Sequence, residues 1–222
     1  MEGLQHPQST RLEILPRVNI TMSSPQVWFS KCHLSQDTRP IELILVSLAT
    51  VTGASTGFGR SMTELVLMQG GIAIATLRTP SALDALRAQW PEDKLIILKL
   101  DVTKRDDINA ALEHAKTKVG RIDFVFNNAG YGLMGEVEGT PEDAARAMFE
   151  VNFWGAAYIA REAVKFFRDV NQPQGGTLLN VSSYMGLIAQ PLMGYYVASK
   201  HGRCSPQNKE TIRGANSNFV TS

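Results

Sequence analysis

The stretch Thr52-Gly53-Ala54-Ser55-Thr56-Gly57-Phe58-Gly59 decides the fold. It follows a β-branched and leucine-rich run, Leu43–Val51, that reads as a buried strand. It precedes a helical pattern with Met62, Leu65, Val66 and Met68 on one face, stopped by Gly70-Gly71. A strand, a glycine turn and a helix in that order have a physical use. Three glycines allow a tight turn, close approach of the backbone to a pyrophosphate, and close helix–strand packing. The helix N-terminus offers free N–H groups and a partial positive charge to the phosphates. The spacing is G-x-x-x-G-x-G, not the G-x-G-x-x-G of most dinucleotide folds.

Outward from this turn the chain alternates regularly. Ile72–Leu77, Leu95–Leu100, Ile122–Phe126 and Thr177–Val181 read as strands two to five. Ser81 is expected to cap a short helix, with Asp84 three residues on and Leu83 and Leu86 facing inward. Thr103 is expected to open a helix to about Val119. Thr140 as N-cap, with Pro141 at the first helical position, opens a pattern that runs to about Val170. Continuous apolar strands alternating with amphipathic helices predict an α/β fold, a doubly wound parallel sheet of the Rossmann type. Ligands of such sheets sit beyond the carboxyl ends of the strands. The expected domain is 41–201, between an irregular lead at 1–40 and a divergent tail at 202–222, both read as loop or disorder.

Composition narrows the partners. With Lys+Arg 22 against Asp+Glu 21, the 222-residue chain lacks the basic excess that nucleic-acid binding needs. The longest apolar run, Ile41 to Val51, contains Glu42 and falls short of the roughly 20 residues a bilayer requires. No apolar block of signal-peptide type occupies the first thirty residues, and Cys32 and Cys204 are the only cysteines. A cytoplasmic protein without a membrane span is therefore expected. His6, His33, His114 and His201 show no metal-ligand spacing, so no metal is expected.

Further motifs accompany the turn. Asp101 and Val102 follow the third strand, and Asn127-Asn128-Ala129-Gly130 follows the fourth. Asn152 stands in Val-Asn-Phe-Trp-Gly, and Asn180-Val181-Ser182-Ser183 ends the fifth strand. Tyr196 and Lys200 form Tyr-x-x-x-Lys, with Tyr196 thirteen residues after Ser183. Together these resemble the short-chain dehydrogenase/reductase family from about Leu43 to His201, with details similar to its hydroxysteroid and retinol dehydrogenase members.

The resemblance implies an oxidoreductase that interconverts a secondary alcohol and a ketone by hydride transfer to or from a nicotinamide dinucleotide. It implies that Gly53, Ser55, Thr56, Gly57, Phe58, Gly59, Asp101, Val102, Asn128, Ala129 and Gly130 bind that cofactor, Asp101 contacting the adenine. Arg161, nine residues after Asn152, is a cofactor-side candidate. Tyr196 would be the general acid/base, Ser183 would polarise the substrate oxygen, and Asn152 would hold a relay water. Lys200 would hold the nicotinamide ribose. A tyrosine is a poor base unaided, with a reference pKa of about 10, and a nearby ammonium favours its phenolate. Four residues apart, Tyr196 and Lys200 share one helix face, which agrees with that role. Tyr195 lacks such a partner, since Ser199 stands four residues on.

NADP is expected over NAD. An acidic residue at the end of the second strand would bind the ribose hydroxyls of NAD, whereas an arginine accommodates the 2′-phosphate of NADP. Leu77 occupies the acidic position and Arg78 follows. The substrate expected is a small-molecule alcohol or ketone. The family often dimerises through the helix beginning near Asn152, so a homo-oligomer stays open.

Both ends depart from the family pattern. The resemblance stops near His201-Gly202, and Gly202, Pro206 and Gly214 oppose a long helix. The sheet is expected to be incomplete on its C-terminal side, leaving an exposed edge strand. A second reading is thus a truncated, inactive dinucleotide-binding splice product. Residues from about 30 to 50 read as a retained intron, because Ser30-Lys31-Cys32 can be encoded with the donor pattern GTAAGT. Gly202-Arg203 allows a similar donor-like pattern.

Overall fold

A strand covered on both faces must be apolar or small at nearly every position. Leu48–Thr52 (β1) meets that demand, with all five residues buried. In the computed structural model, which describes residues 48–204 and 217–221, β1 lies at the centre of a six-stranded parallel sheet. Its neighbours are β2 (Ile72–Leu77) and β4 (Phe124–Asn127), flanked by β3 (Leu95–Lys99) on one side and β5 (Gly176–Asn180) then β6 (Ser217–Thr221) on the other. The order is therefore β3-β2-β1-β4-β5-β6. The chain reverses its direction of winding between β1 and β4, and the crevice past their carboxyl ends is where such sheets bind ligands.

Alternate residues of each strand feed two cores. Leu48, Ile74, Val125 and Leu178 join one, closed by helices α3 (Arg105–Val119) and α5 (Ala156–Asp169) through Ile108, Ile159 and Phe167. Ala49, Val51, Ala75, Phe126 and Leu179 join the other, closed by α1 (Gly57–Met68) and the short α2 (Asp84–Arg87) through Val66, Leu67 and Leu86. Two further helices, α4 (Glu142–Phe149) and α6 (Gly194–Cys204), follow β4 and β5 in the chain and pack against each other. No helix among the described residues is long and apolar enough to cross a membrane.

Several local expectations are corrected. On α1, Met68 is exposed and Leu67 is buried in its place, a displacement of one position around the helix. Ser81 lies inside a 3₁₀ turn, Pro80–Leu83, and caps nothing. Thr103 does not open α3, because its hydroxyl and N–H are both committed to the Asp101 carboxylate. Thr140 bonds Glu136 O with its hydroxyl, and α4 starts one residue later with Pro141 flanking it. The long helix expected from Thr140 to Val170 is interrupted by a π-helical turn at Glu150–Gly155.

Two pieces of the tail, 202–204 and Ser217–Thr221, are helix and strand where loop was expected. Helix α6 continues through Gly202 to Cys204. A mid-helix glycine costs about 1 kcal/mol, yet here it backs onto the Phe153 ring, 3.1 Å from where a Cβ would stand. Ser217–Thr221 pairs in parallel with β5 along its whole length, so β5 is not the exposed edge. Its short run Phe219-Val220 carries strand propensity but is too brief to announce itself. The lead at 1–40, residues 43–47 of the expected first strand and most of the intron-like stretch lie outside the described residues.

Candidate active site

The turn after β1 is shaped by backbone. Gly53 and Gly57 adopt φ of 65° and 55°, a region that side chains disfavour. Gly59 faces inward, where an added Cβ would come within 2.2 Å of Gly53 O. The two positive φ values and this close approach allow α1 to begin directly against the end of β1. At that beginning Thr56 makes no side-chain cap, and the first turn holds no acidic residue. The leading N–H groups are therefore uncommitted to side chains, which suits an anion. Ser55 is half-buried, while Thr56, Gly57 and Phe58 are exposed along the same rim.

This turn is stitched to the one after β4. Thr52, fully buried, accepts the N–H groups of Asn128 at 2.8 Å and Ala129 at 3.0 Å on its hydroxyl. In return the Asn128 side-chain amide donates to Thr52 O at 2.9 Å. The neighbouring Asn127 amide bonds Ala156 O and Asn180 Oδ1, both at 2.8 Å, fixing the turn to α5 and β5. Ala54 N–H donates to Thr76 O, so the end of β2 joins the same assembly.

Beside it stand the groups read as choosing the cofactor. Leu77 closes β2 with its side chain buried, and Arg78 follows, exposed. Asp101 follows Leu100, whose N–H bonds Leu77 O, so the two strand ends are adjacent. Partial burial pushes the Asp101 carboxyl up, but two hydrogen bonds from Thr103 and the charges of Lys104 and Arg78 outweigh it. The net effect holds the group below the usual carboxylate range. Val102 is buried in the core beneath.

Asn152 and Lys200 converge on Gly130, and Tyr196 stands beside Gly132. Asn152 occupies the π-helical turn and is fully buried, a local distortion of a kind frequent at functional sites. Its amide brackets Tyr131, accepting its N–H at 3.0 Å and donating to its carbonyl at 2.8 Å. A Cβ at Gly130 would stand 2.9 Å from Asn152 Oδ1 and 3.4 Å from Lys200 Nζ, so these two polar groups meet there. Lys200 is 4% exposed, and its Nζ lies 5.7 Å from the Tyr196 ring centroid. Gly132 flanks the same ring, with its Cβ position 4.0 Å from Tyr196 Cε2.

Ser183 leads a 3₁₀ turn, Tyr184–Gly186, and accepts Met185 N–H at 3.2 Å. The adjacent Ser182 hydroxyl is engaged by Lys200 O at 3.4 Å, which ties the end of β5 to α6. Arg161 is placed differently. It pairs with Glu162 at 2.7 Å and packs beside the Tyr158 ring on the outer face of α5, away from these contacts.

Three participants escaped the sequence reading. Thr52 lay inside the motif but drew no role. Ser199, fully buried, links Asn152 Nδ2 at 3.2 Å to Tyr196 O at 2.8 Å; its place three residues after Tyr196 on one helix face could have identified it. Arg203, 7% exposed, donates to Ala129 O at 3.3 Å and to Asn127 O. It sits in the stretch read as divergent, where no motif pointed to it.

Comparison with known proteins places this geometry. Residues 47–206 match the profile described as short chain dehydrogenase. An uncharacterised oxidoreductase of Schizosaccharomyces pombe is 38% identical over 154 residues, 69% of this chain and 50% of that protein. A short-chain dehydrogenase from Streptomyces avermitilis superposes with a TM-score of 0.73 at 30% identity, covering 79% of this chain and 64% of its own. A short chain dehydrogenase/reductase from Burkholderia phymatum, solved in complex with NAD, gives a TM-score of 0.72 at 27% identity, with the same 79% and 64% coverage. The chain spans about half the length of the curated relatives it matches.

Proposed function

The chain belongs to the short-chain dehydrogenase family, and from that premise we propose an NADP-dependent oxidoreductase that interconverts a secondary alcohol and a ketone. The observation that carries this reading is the meeting of Lys200 Nζ and Asn152 Oδ1 at Gly130, with the Tyr196 ring alongside. It lies one turn away from a glycine cradle whose helix N-terminus is free of competing acids.

The residues fit a dinucleotide. Gly57 leaves the backbone bare where a pyrophosphate would lie, Gly53 and Gly59 let the turn pack closely behind it, and the first N–H groups of α1 would hold the phosphates. Asp101 and Val102 would meet the adenine, Asn128, Ala129 and Gly130 would line the path, and Lys200 would hold the nicotinamide ribose. When bound, that nicotinamide accepts or supplies the hydride. Arg78 supports NADP, since its guanidinium suits a phosphate and Leu77 removes the carboxylate that would repel one.

The chain's own residues handle the proton. Tyr196 Oη would take it from, or return it to, the substrate oxygen. The Lys200 ammonium favours the phenolate by its charge. Ser183 Oγ would donate a hydrogen bond to the same oxygen, where negative charge develops. Asn152, rigidly held by Tyr131 and Ser199, would keep a proton path open behind Lys200. A cytosolic setting and a small-molecule partner complete the reading.

Titration of the 222-residue chain with NADPH and NADH, followed by nucleotide fluorescence, tests cofactor binding. NADPH is expected to bind more tightly, and the preference is expected to weaken in Arg78→Ala. Tighter NADH binding would reverse the cofactor assignment. Turnover of cyclohexanone is expected to fall by about 10²–10⁴-fold in Tyr196→Phe with NADPH binding retained. Binding without turnover in the unaltered chain would leave a dinucleotide-binding module instead.

A further inference from the structure

We propose that Arg203 is a positioning residue for the Tyr196–Lys200–Asn152 cluster: its buried guanidinium clamps the last turn of α6 to the turn after β4. This rests on reading that cluster as catalytic.

Tyr196, Lys200 and Arg203 fall at intervals of four and three residues on α6, hence on one stripe of the helix. Over those seven positions the stripe extends about 10 Å. Arg203 is at its far end, 7% exposed, a rare burial for a cation. Its two terminal nitrogens reach Ala129 O and Asn127 O, carbonyls that bracket Asn128. Asn128 is the residue that grips Thr52 O. Directly after Ala129 come Gly130, where Lys200 and Asn152 meet, and Tyr131, which Asn152 holds. One side chain therefore joins the helix bearing Lys200 to the turn that receives it.

The chemistry suits the task. A guanidinium presents several donors in a rigid plane and can satisfy two carbonyls at once, whereas an ammonium is a compact point charge. A buried cation is tolerated only while its hydrogen bonds offset the lost hydration. Shifting either carbonyl away exposes that cost, so the clamp resists displacement more steeply than apolar packing would. A small misplacement of catalytic groups can cost about 10²-fold in rate.

The test compares the full chain with Arg203→Met, which fills the space without donors, Arg203→Lys, and the exposed control His201→Ala. Amide hydrogen exchange, NADPH titration and cyclohexanone turnover are measured on each. In Arg203→Met the amides of Ala129 and Tyr131 are expected to exchange faster, while Ala73 in the sheet keeps its protection. Turnover is expected to fall about tenfold or more, with the cyclohexanone KM nearly unchanged and NADPH affinity weakened by less than turnover. Arg203→Lys is expected to restore part of both, and His201→Ala to change neither.

Unchanged exchange at Ala129 and Tyr131 in Arg203→Met would overturn the clamp. So would faster exchange spread equally to Ala73, or full turnover despite faster local exchange. If the unaltered chain turns nothing over, the catalytic reading fails by itself, and the exchange comparison still decides whether Arg203 holds the turn.

Discussion

On one side of the site, the turn from β1 into α1 is shaped by what is missing. Gly53 and Gly57 hold positive φ, and Gly59 leaves no room for even one carbon against Gly53 O. On the other side, α6 is set by what is present: Lys200 reaching toward Gly130, Ser199 linking Asn152, and Arg203 bonding Asn127 O and Ala129 O. The first side should tolerate no added Cβ and care little for charge. The second should tolerate changes of bulk better than loss of a donor. Thr52 and Asn128 join the two, so failure on one side can be traced through them.

Gly59→Ala is the most severe way to probe the first side. Its new carbon would overlap a backbone carbonyl, which cannot rotate aside, and the cost is expected at about 3 kcal/mol or more. Denaturant unfolding should show that loss, together with loss of NADPH binding. Tyr196→Phe should instead keep both and lose only turnover. If Gly59→Ala binds NADPH with unaltered stability, the contrast between the two sides collapses.

Thr52→Val tests the joint. The valine keeps the shape but leaves the Asn128 and Ala129 N–H groups without their acceptor. Each buried orphan costs about 1–3 kcal/mol, so a loss of roughly 2–4 kcal/mol is expected in chemical unfolding. A change of less than about 0.5 kcal/mol would mean that the turn after β4 is held mainly from the α6 side.

The same contrast explains what could be read beforehand. Glycine spacing is a backbone requirement written directly in the sequence, and the alternation of strands and helices follows from apolar runs and periods. Arg203 and β6 were not legible, because their places depend on contacts between segments distant in the chain. The π-helical turn at Glu150–Gly155 was equally hidden, since it keeps a helical pattern while shifting Asn152 inward. Ser81 and Thr103 misled because each has the residue type of a cap, yet Thr103 is drawn to Asp101 instead.

Asp101 is an exception on the glycine side, its carboxylate being held by two hydrogen bonds from Thr103 and by the charges of Lys104 and Arg78. Its carboxyl lies below the ordinary value of 3.8, so the folded state favours the ionised form. That contribution is complete above the unfolded value and fades as pH falls through the lower folded one. Asp101→Asn is therefore expected to cost about 1 kcal/mol at neutral pH, reduced by its partial exposure. The difference from the unaltered chain should narrow in thermal melts as pH falls below the ordinary carboxyl value of 3.8. A gap that stays constant down the pH series would assign the loss to packing rather than charge.

The smallest effect gives the finest discrimination. Thr50 lies on β1 two residues before Thr52, and both are buried. Thr52 Oγ1 serves two N–H groups, whereas Thr50 Oγ1 has no hydrogen-bond partner and lines a small void with Leu100, Ile108, Val125 and Ile159. Replacing an unsatisfied hydroxyl with a methyl removes a desolvation penalty and fills apolar space. Thr50→Val is thus expected to stabilise the chain by about 0.5–1 kcal/mol, raising Tm by roughly 1–4 °C. The identical substitution two positions along the same strand then has opposite signs. That reversal follows if Thr52 matters through its hydrogen bonds to the β4 turn, and not through any general need for threonine in a central strand. Destabilisation by both valines would break that account, and with it the claim that the glycine side is joined to α6 at Thr52.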